Sequence, residues 1–258
     1  MAALPDPRED LALAVDAVRT AGAEVRARFG IRGEVRFKSA DQPVTEADLV
    51  ANEVLRTRLL AARPDYGWLS EETADSVDRL QRRRVWVVDP IDGTNSFVAG
   101  IPEFVVSVGL VEDGVAIVAA VYNPVTDELY EARRGEGARR SGVPIHVAPP
   151  PDDGEKPVLL ASRWEVRAGR LAEYAEGWQL KEMGSTAYRM LKVADGSAHA
   201  FVSPAYKHEW DVCGAALVVE EAGGCVTRGD GSSLRYNLPN PRFAGIRVWN
   251  PLVELGPP

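Results

Sequence analysis

The chain has 258 residues, 45% hydrophobic and 26% charged, with a formal net charge of −8. That size and composition suit a folded globular protein, one large domain or two joined lobes, and exclude a disordered chain. The acidic balance excludes a polynucleotide partner, because such a surface repels a phosphate backbone; a small phosphorylated ligand fits only where something offsets the charge, as a metal ion does.

In chain order, the start Met-Ala-Ala-Leu-Pro-Asp-Pro-Arg has no basic region followed by an apolar stretch, so it does not read as a signal peptide. Leu11, Ala14, Val15, Val18, Ala21 and Val25 recur at helical spacing and predict a helix from about Arg8 to Phe29, ended by Gly30 and Gly33. A short strand is expected over Glu34 to Phe37. Thr45 reads as the N-cap of a second helix, with Asp48 in the capping-box position, running to about Ala62 before Pro64. A short apolar run from Tyr66 to Ser70 leads to Glu71 and Glu72, and Arg82, Arg83 and Arg84 read as a solvated connection. Val85 to Val88 reads as a strand buried on both faces that stops at Asp89-Pro90. Three strands follow, Val105 to Leu110, Val115 to Tyr122 and Glu128 to Ala132, with turns at Glu112-Asp113-Gly114 and at Asn123-Pro124 with Asp127.

Pro149 to Gly154 is the clearest boundary, so residues 1–150 and 151–258 are expected to form an N-terminal α+β lobe and a C-terminal α/β lobe. The second half predicts a strand at Val158 to Ala161, a helix from about Ala168 to Glu176 and another opening at Ser185-Thr186. A strand near Ala200 to Val202 comes next, then a helix with Asp211 near its start that ends at Gly223-Gly224. The fold class is α/β (α+β), in layers. No run of about 18 apolar residues exists, so no membrane-spanning helix is expected. Cys213 and Cys225 read as reduced thiols, and the expected location is cytoplasmic.

The chemistry concentrates at Asp89-Pro90-Ile91-Asp92-Gly93-Thr94. A buried strand ending in a carboxylate delivers it to the sheet edge, where ligands commonly bind. A second carboxylate three residues on would repel the first unless a cation lay between them, and oxygen-only ligands suit magnesium or manganese. Gly93 lets the backbone approach a ligand, and a helix or turn starting there would offer N–H groups to phosphate oxygens. Asp-Pro and Asp-Gly turns would explain this stretch alone. Helix starts would explain Glu71-Glu72 and Trp210-Asp211, and an exposed helix face would explain Asp48. Coincidence of all four is harder to accept. His146, His199 and His208 have no metal-ligand spacing, which argues against zinc.

Pro43-Val44-Thr45-Glu46-Ala47-Asp48, Ser70-Glu71-Glu72, Asp89 to Thr94 and Trp210-Asp211, in this order, resemble the inositol monophosphatase superfamily. The resemblance runs from Thr45 through Gly224 and implies an αβαβα sandwich, often a homodimer. It implies lithium-sensitive, magnesium-dependent hydrolysis of a small phosphorylated metabolite, with two or three metal ions and manganese as substitute. Glu71, Asp89 and the Ile91 carbonyl would hold one magnesium; Asp89, Asp92 and Asp211 would hold a second. Gly93 and Thr94 would contact the phosphate, and Asp48 would orient the Thr94 hydroxyl. Glu71 and Thr94 would position and help deprotonate a water, and Asp92 would help protonate the leaving oxygen. Inositol-specific members commonly carry an acidic residue seven positions before the Trp-Asp aspartate; here it is Pro204. That departure, with Ala161-Ser162-Arg163, Leu234 to Asn237 and Asn240 to Phe243, leans towards the bacterial 3′(2′),5′-bisphosphate nucleotidases. Adenosine 3′,5′-bisphosphate is then the expected substrate, with Ser185, Thr186 and His208 near it. Inositol 1-phosphate and fructose 1,6-bisphosphate are the alternatives, and a non-catalytic metal- or phosphate-binding regulator is the alternative from another class.

Overall fold

The computed structural model describes residues 4–31, 35–39, 42–174 and 176–255. Asp6 opens the first helix: its side chain accepts from the Arg8 N–H, and Pro7 takes the first helical position, where a missing N–H goes unfelt. This helix, α1 (Pro7–Arg28), buries Ala14, Ala17, Val18, Ala21 and Val25, as the spacing predicts. Gly33 and Glu34 lie outside the described residues. Strands β1 (Val35–Ser39) and β2 (Gln42–Thr45) form an antiparallel ribbon. Thr45 then caps α2 (Glu46–Ala62), and Asp48 closes the capping box by accepting from the Thr45 N–H at 2.7 Å. The short run before Glu71 is strand β3 (Gly67–Ser70).

Strand β4 (Arg84–Asp92) is buried at every residue, and a five-residue helix, α3 (Thr94–Val98), follows it. A meander of β5 (Val105–Glu112), β6 (Val115–Asn123), β7 (Glu128–Arg133), β8 (Ala138–Arg140) and β9 (Val143–Ile145) completes a seven-stranded sheet. Its order is β3-β4-β5-β6-β7-β8-β9, with only β3 and β4 parallel. Asp113 and Gly114, both at positive φ, make the β5–β6 turn.

Beyond the proline-rich stretch come β10 (Val158–Ala161), α4 (Arg163–Arg167), β11 (Gln179–Glu182), α5 (Thr186–Ala194), β12 (Ala200–His208), α6 (Glu209–Glu221), β13 (Cys225–Arg228) and β14 (Arg242–Trp249). Their sheet has the order β11-β10-β12-β14-β13. α1 and α2 pack on one face of the first sheet. α5 and α6 fill the space between the two sheets, where Val87, Val121, Met190, Leu217, Phe201 and Ile246 share one core. A smaller cluster around Leu159, Leu171 and Trp178 covers the far side of the second sheet. The result is an αβαβα sandwich. No helix among the described residues is long and apolar enough to cross a membrane. Cys213 and Cys225 are free thiols.

Three expectations need correction. The helix expected over Ala168 to Glu176 starts earlier, at Arg163, because Ser162 and Glu165 form a capping box; Gly169, at φ 65°, follows its end, and only a 3-10 turn at Ala172–Tyr174 remains beyond. The arginine run is not uniformly solvated. Arg84 is buried, donating to Asp10 Oδ2, Tyr66 Oη and Glu112 Oε2, because α1 presents a fully buried carboxylate at Asp10. The buried strand does not stop at Asp89: β4 runs on to Asp92 through a bulge, and that bulge shapes the site.

Candidate metal centre and active site

In a regular strand, carboxylates three residues apart point to opposite faces. β4 is irregular here. Asp89 pairs with Ser107 and Asp92 with Val105, three steps on β4 against two on β5. The extra residue turns Asp92 back to the side of Asp89. The first turn of α6 adds Asp211, whose Oδ2 accepts from the His208 N–H at 2.8 Å. Carboxylate oxygens of Asp89, Asp92 and Asp211 lie within 4.8 Å of one another.

Close packing sets α6 at this depth. Gly109 on β5 faces Cys213, and a Cβ there would come within 2.6 Å of Cys213 Sγ. Asp92 is held from α5: its Oδ2 accepts from Ser185 Oγ and from the Ala187 N–H. Glu71 follows β3, which lies parallel to β4, and lines the same cavity.

Asp48 is nearly fully buried. Its Oδ2 accepts from the Thr45 hydroxyl at 2.7 Å, and its Oδ1 from the Thr94 hydroxyl at 3.1 Å. The Thr94 hydroxyl also lies 3.1 Å from the Ile91 carbonyl. Gly93 adopts φ 102° at the start of α3, a conformation that suits glycine, and a Cβ would sit 2.9 Å from the Glu103 carbonyl. The first N–H groups of α3 have no carbonyl partner within the helix.

These carboxyls are costly to ionise together. Burial, then the charges of Glu71, Asp92, Asp211 and Asp48, push Asp89 well above the usual carboxylate range. Burial also raises Asp92, against the hydrogen bonds from Ser185 and Ala187. Burial and Asp92 push Asp211 up to about 7. Asp89 Oδ1 accepts from the Ile91 N–H, while Asp89 Oδ2 is buried with no hydrogen-bond partner. An orphaned carboxylate oxygen among three carboxylates, with no nitrogen or sulfur ligand in the group, fits a hard divalent cation.

The cavity above this cluster has a volume of about 580 Å³. Ser185, Thr186 and His208 all line it. The Ser185 hydroxyl is already engaged, donating to Asp92 and capping α5 by accepting from the Tyr188 N–H. His208 stacks on Trp210, ring centroids 4.4 Å apart.

Sequence reasoning missed the buried arginine beside the cluster. Arg189, one turn into α5, lies 4.5 Å over the Phe201 ring and 3.5 Å from Glu165. A charged residue inside the apolar run Ala187 to Ala194 was the available signal. It also missed a clasp behind Asp211. Buried Glu209 accepts from the N–H groups of Asn237 and Leu238, and Arg79 donates to Asn237 Oδ1 and the Leu238 carbonyl. Asn237 and Leu238 thus tie the start of α6 to Arg79, in the chain beyond Glu71.

The model of the inositol monophosphatase family matches residues 6–251. An inositol monophosphatase of Mesembryanthemum crystallinum is 32% identical, covering 95% of this chain and 92% of that protein. A histidinol-phosphatase of Chlorobaculum parvum is 35% identical over 84% of each chain. Among solved structures, the extragenic suppressor protein suhB of Bartonella henselae superposes with a TM-score of 0.83 at 27% identity, covering 95% of both chains. CysQ of Bacteroides thetaiotaomicron, a bacterial member of the same family, gives 0.77 at 26% identity, covering 95% of this chain and 98% of that one. The chain belongs to the inositol monophosphatase family of phosphoric monoester hydrolases.

Proposed function

We propose that the protein is a magnesium-dependent phosphomonoesterase that removes the 3′-phosphate of adenosine 3′,5′-bisphosphate. The observation that carries the reaction is the orphaned Asp89 Oδ2 in a cluster with the carboxylates of buried Asp92 and half-buried Asp211. Glu71, Asp89 and the Ile91 carbonyl would hold one magnesium, and Asp89, Asp92 and Asp211 a second, with manganese as the substitute. When bound, the ions supply positive charge against the phosphate oxygens and acidify a water.

The protein's own groups divide the remaining work. The N–H groups of Gly93 and Thr94 receive phosphate oxygens. The Thr94 hydroxyl directs its hydrogen to Asp48, so its lone pairs accept from the attacking water. Glu71 takes the proton of that water. Asp92, steadied by Ser185 and Ala187, stands on the leaving-group side and returns a proton through a water. The chain offers no obvious nucleophile for a phosphoenzyme, and positioning with charge neutralisation suffices for phosphoryl transfer.

For the leaving group, Pro204 gives ring hydroxyls no carboxylate on β12. Trp164 and Tyr206, 59% and 66% exposed, offer flat faces at the cavity on which a base could stack. Inositol 1-phosphate is the second reading, favoured by relatives carrying that activity in their names. The test is magnesium-dependent phosphate release from adenosine 3′,5′-bisphosphate, inositol 1-phosphate, fructose 1,6-bisphosphate and histidinol phosphate. The highest kcat/KM on the nucleotide is expected. A preference for inositol 1-phosphate overturns the substrate, and no turnover of any ester overturns the reaction.

A further inference from the structure

The chain carries a net charge of −8, yet the cavity wall beyond the carboxylates is basic. Some of these cations are engaged within the protein: Arg163 pairs with Glu103 at 2.7 Å, and Arg189 with Glu165. Three are not. Arg167, Lys207 and Arg242 line the cavity, and among the described residues none of them has an ion pair or a side-chain hydrogen bond; Arg167 is exposed. Lys207 and Arg242 come from adjacent antiparallel strands one register step apart, His208 lying opposite Arg242 and Lys207 opposite Phe243. Arg242 lies 4.9 Å over the Tyr206 ring, which fixes it at the cavity edge. Lys207 is half-buried on the strand that leads into Asp211. Burial, then the nearby Arg189 guanidinium, pull its ammonium below the usual lysine range, against Asp211, Glu165 and Asp92. Of the three, Lys207 is the one the fold half-buries, and with no ion pair of its own its ammonium is available to a ligand.

We infer that the cavity holds a second anionic group of the substrate, remote from the phosphate that is cleaved, with Lys207 as its main contact and Arg242 beside it. The inference rests on the phosphatase reading of the same cavity and narrows its substrate class to esters bearing a second phosphate. Lys207 is then a specificity-determining residue. It discriminates between substrates by a charge-assisted hydrogen bond that monophosphates cannot make.

The test compares two matched pairs: adenosine 3′,5′-bisphosphate against adenosine 3′-monophosphate, and inositol 1,4-bisphosphate against inositol 1-phosphate. In the magnesium-loaded wild type, kcat/KM should favour the bisphosphate of at least one pair by about 10- to 100-fold, the worth of one hydrogen bond to a charged group. Lys207→Met should abolish most of that preference through KM and leave the monophosphate within about threefold, while Lys207→Arg should restore it. Equal losses on both members of a pair would put Lys207 on the scissile phosphate and overturn the inference. So would a wild type without preference in either pair, or one that turns over neither bisphosphate. The nucleotide reading fails separately, when only the inositol pair is turned over; preference within that pair still decides the role of Lys207.

Discussion

Asp89→Asn should make the metal-free protein more stable and the magnesium-loaded protein inactive. Two full charges 4.8 Å apart repel by about 3 kcal/mol at an effective dielectric near 20. Without a cation, Asp89 faces Asp92 and Asp211 at or within that separation. The sign follows from the raised carboxyls. Asp211 is pushed up to about 7, above its unfolded value, so its favourable contribution is present in acid and is lost as pH rises through about 7. In chelator, wild-type stability should therefore fall between about pH 5 and pH 8. The amide removes one of the mutually repelling charges while its Oδ1 still accepts from the Ile91 N–H. We expect the variant to gain roughly 2–3 kcal/mol at pH 8, about 5–10 °C in Tm, and much less at pH 5. Magnesium should reverse the order. At a hundred times its Kd a bound ion adds about 2.7 kcal/mol to the wild type, and an amide binds hard cations poorly. Thermal unfolding of both proteins, at both pH values, with chelator and with magnesium, reads all of this. A variant less stable than wild type in chelator at pH 8, or one that responds equally to magnesium, refutes the reasoning; wild-type turnover refutes the proposed metal-holding role of Asp89.

Four further expectations test the surroundings of the cluster. Thr94→Val should lower kcat about 100-fold or more with little change in KM, and Thr94→Ser should recover most of it, in steady-state phosphate release. Gly109→Ala drives a methyl to 2.6 Å from Cys213 Sγ; it should cost about 1–3 kcal/mol in urea unfolding and weaken magnesium binding, and adding Cys213→Ala should relieve both. Asp10→Ala leaves Arg84 buried beside Tyr66 with only Glu112 as its carboxylate, so about 3 kcal/mol or more of stability should go while kcat per folded molecule holds. Lithium should inhibit phosphate release at magnesium concentrations that support activity, and insensitivity would point to an atypical second metal position.

Local rules made much of this fold legible. Helix α1, the Thr45–Asp48 capping box, the first three strands of the meander and the start of α5 all follow from periodicity, caps and turns within a dozen residues of each other. What stayed hidden depends on partners far along the chain. Arg84 looked like one more solvated arginine because its counter-charge, Asp10, sits 74 positions away on α1. The edge strand β11 has polar residues and pairs only with β10, so it carries little apolar pattern to read.

The site shows the same division in one motif. Asp89 and Asp92 could be named from sequence as a pair of carboxylates, but a regular strand would have separated them. Only the pairing with β5 reveals the extra residue that brings them together. Lys207 was passed over for the opposite reason. A lysine before a Trp-Asp motif is unremarkable in sequence, and the role inferred for it lies in its being half-buried with no ion pair where Arg163 and Arg189 each have one. Carboxylates suited to a hard divalent cation can be recognised by their type and order, because such an ion demands oxygen donors. The role inferred for Lys207 rests instead on which cavity cations the fold buries and which it pairs, and that is visible only in three dimensions.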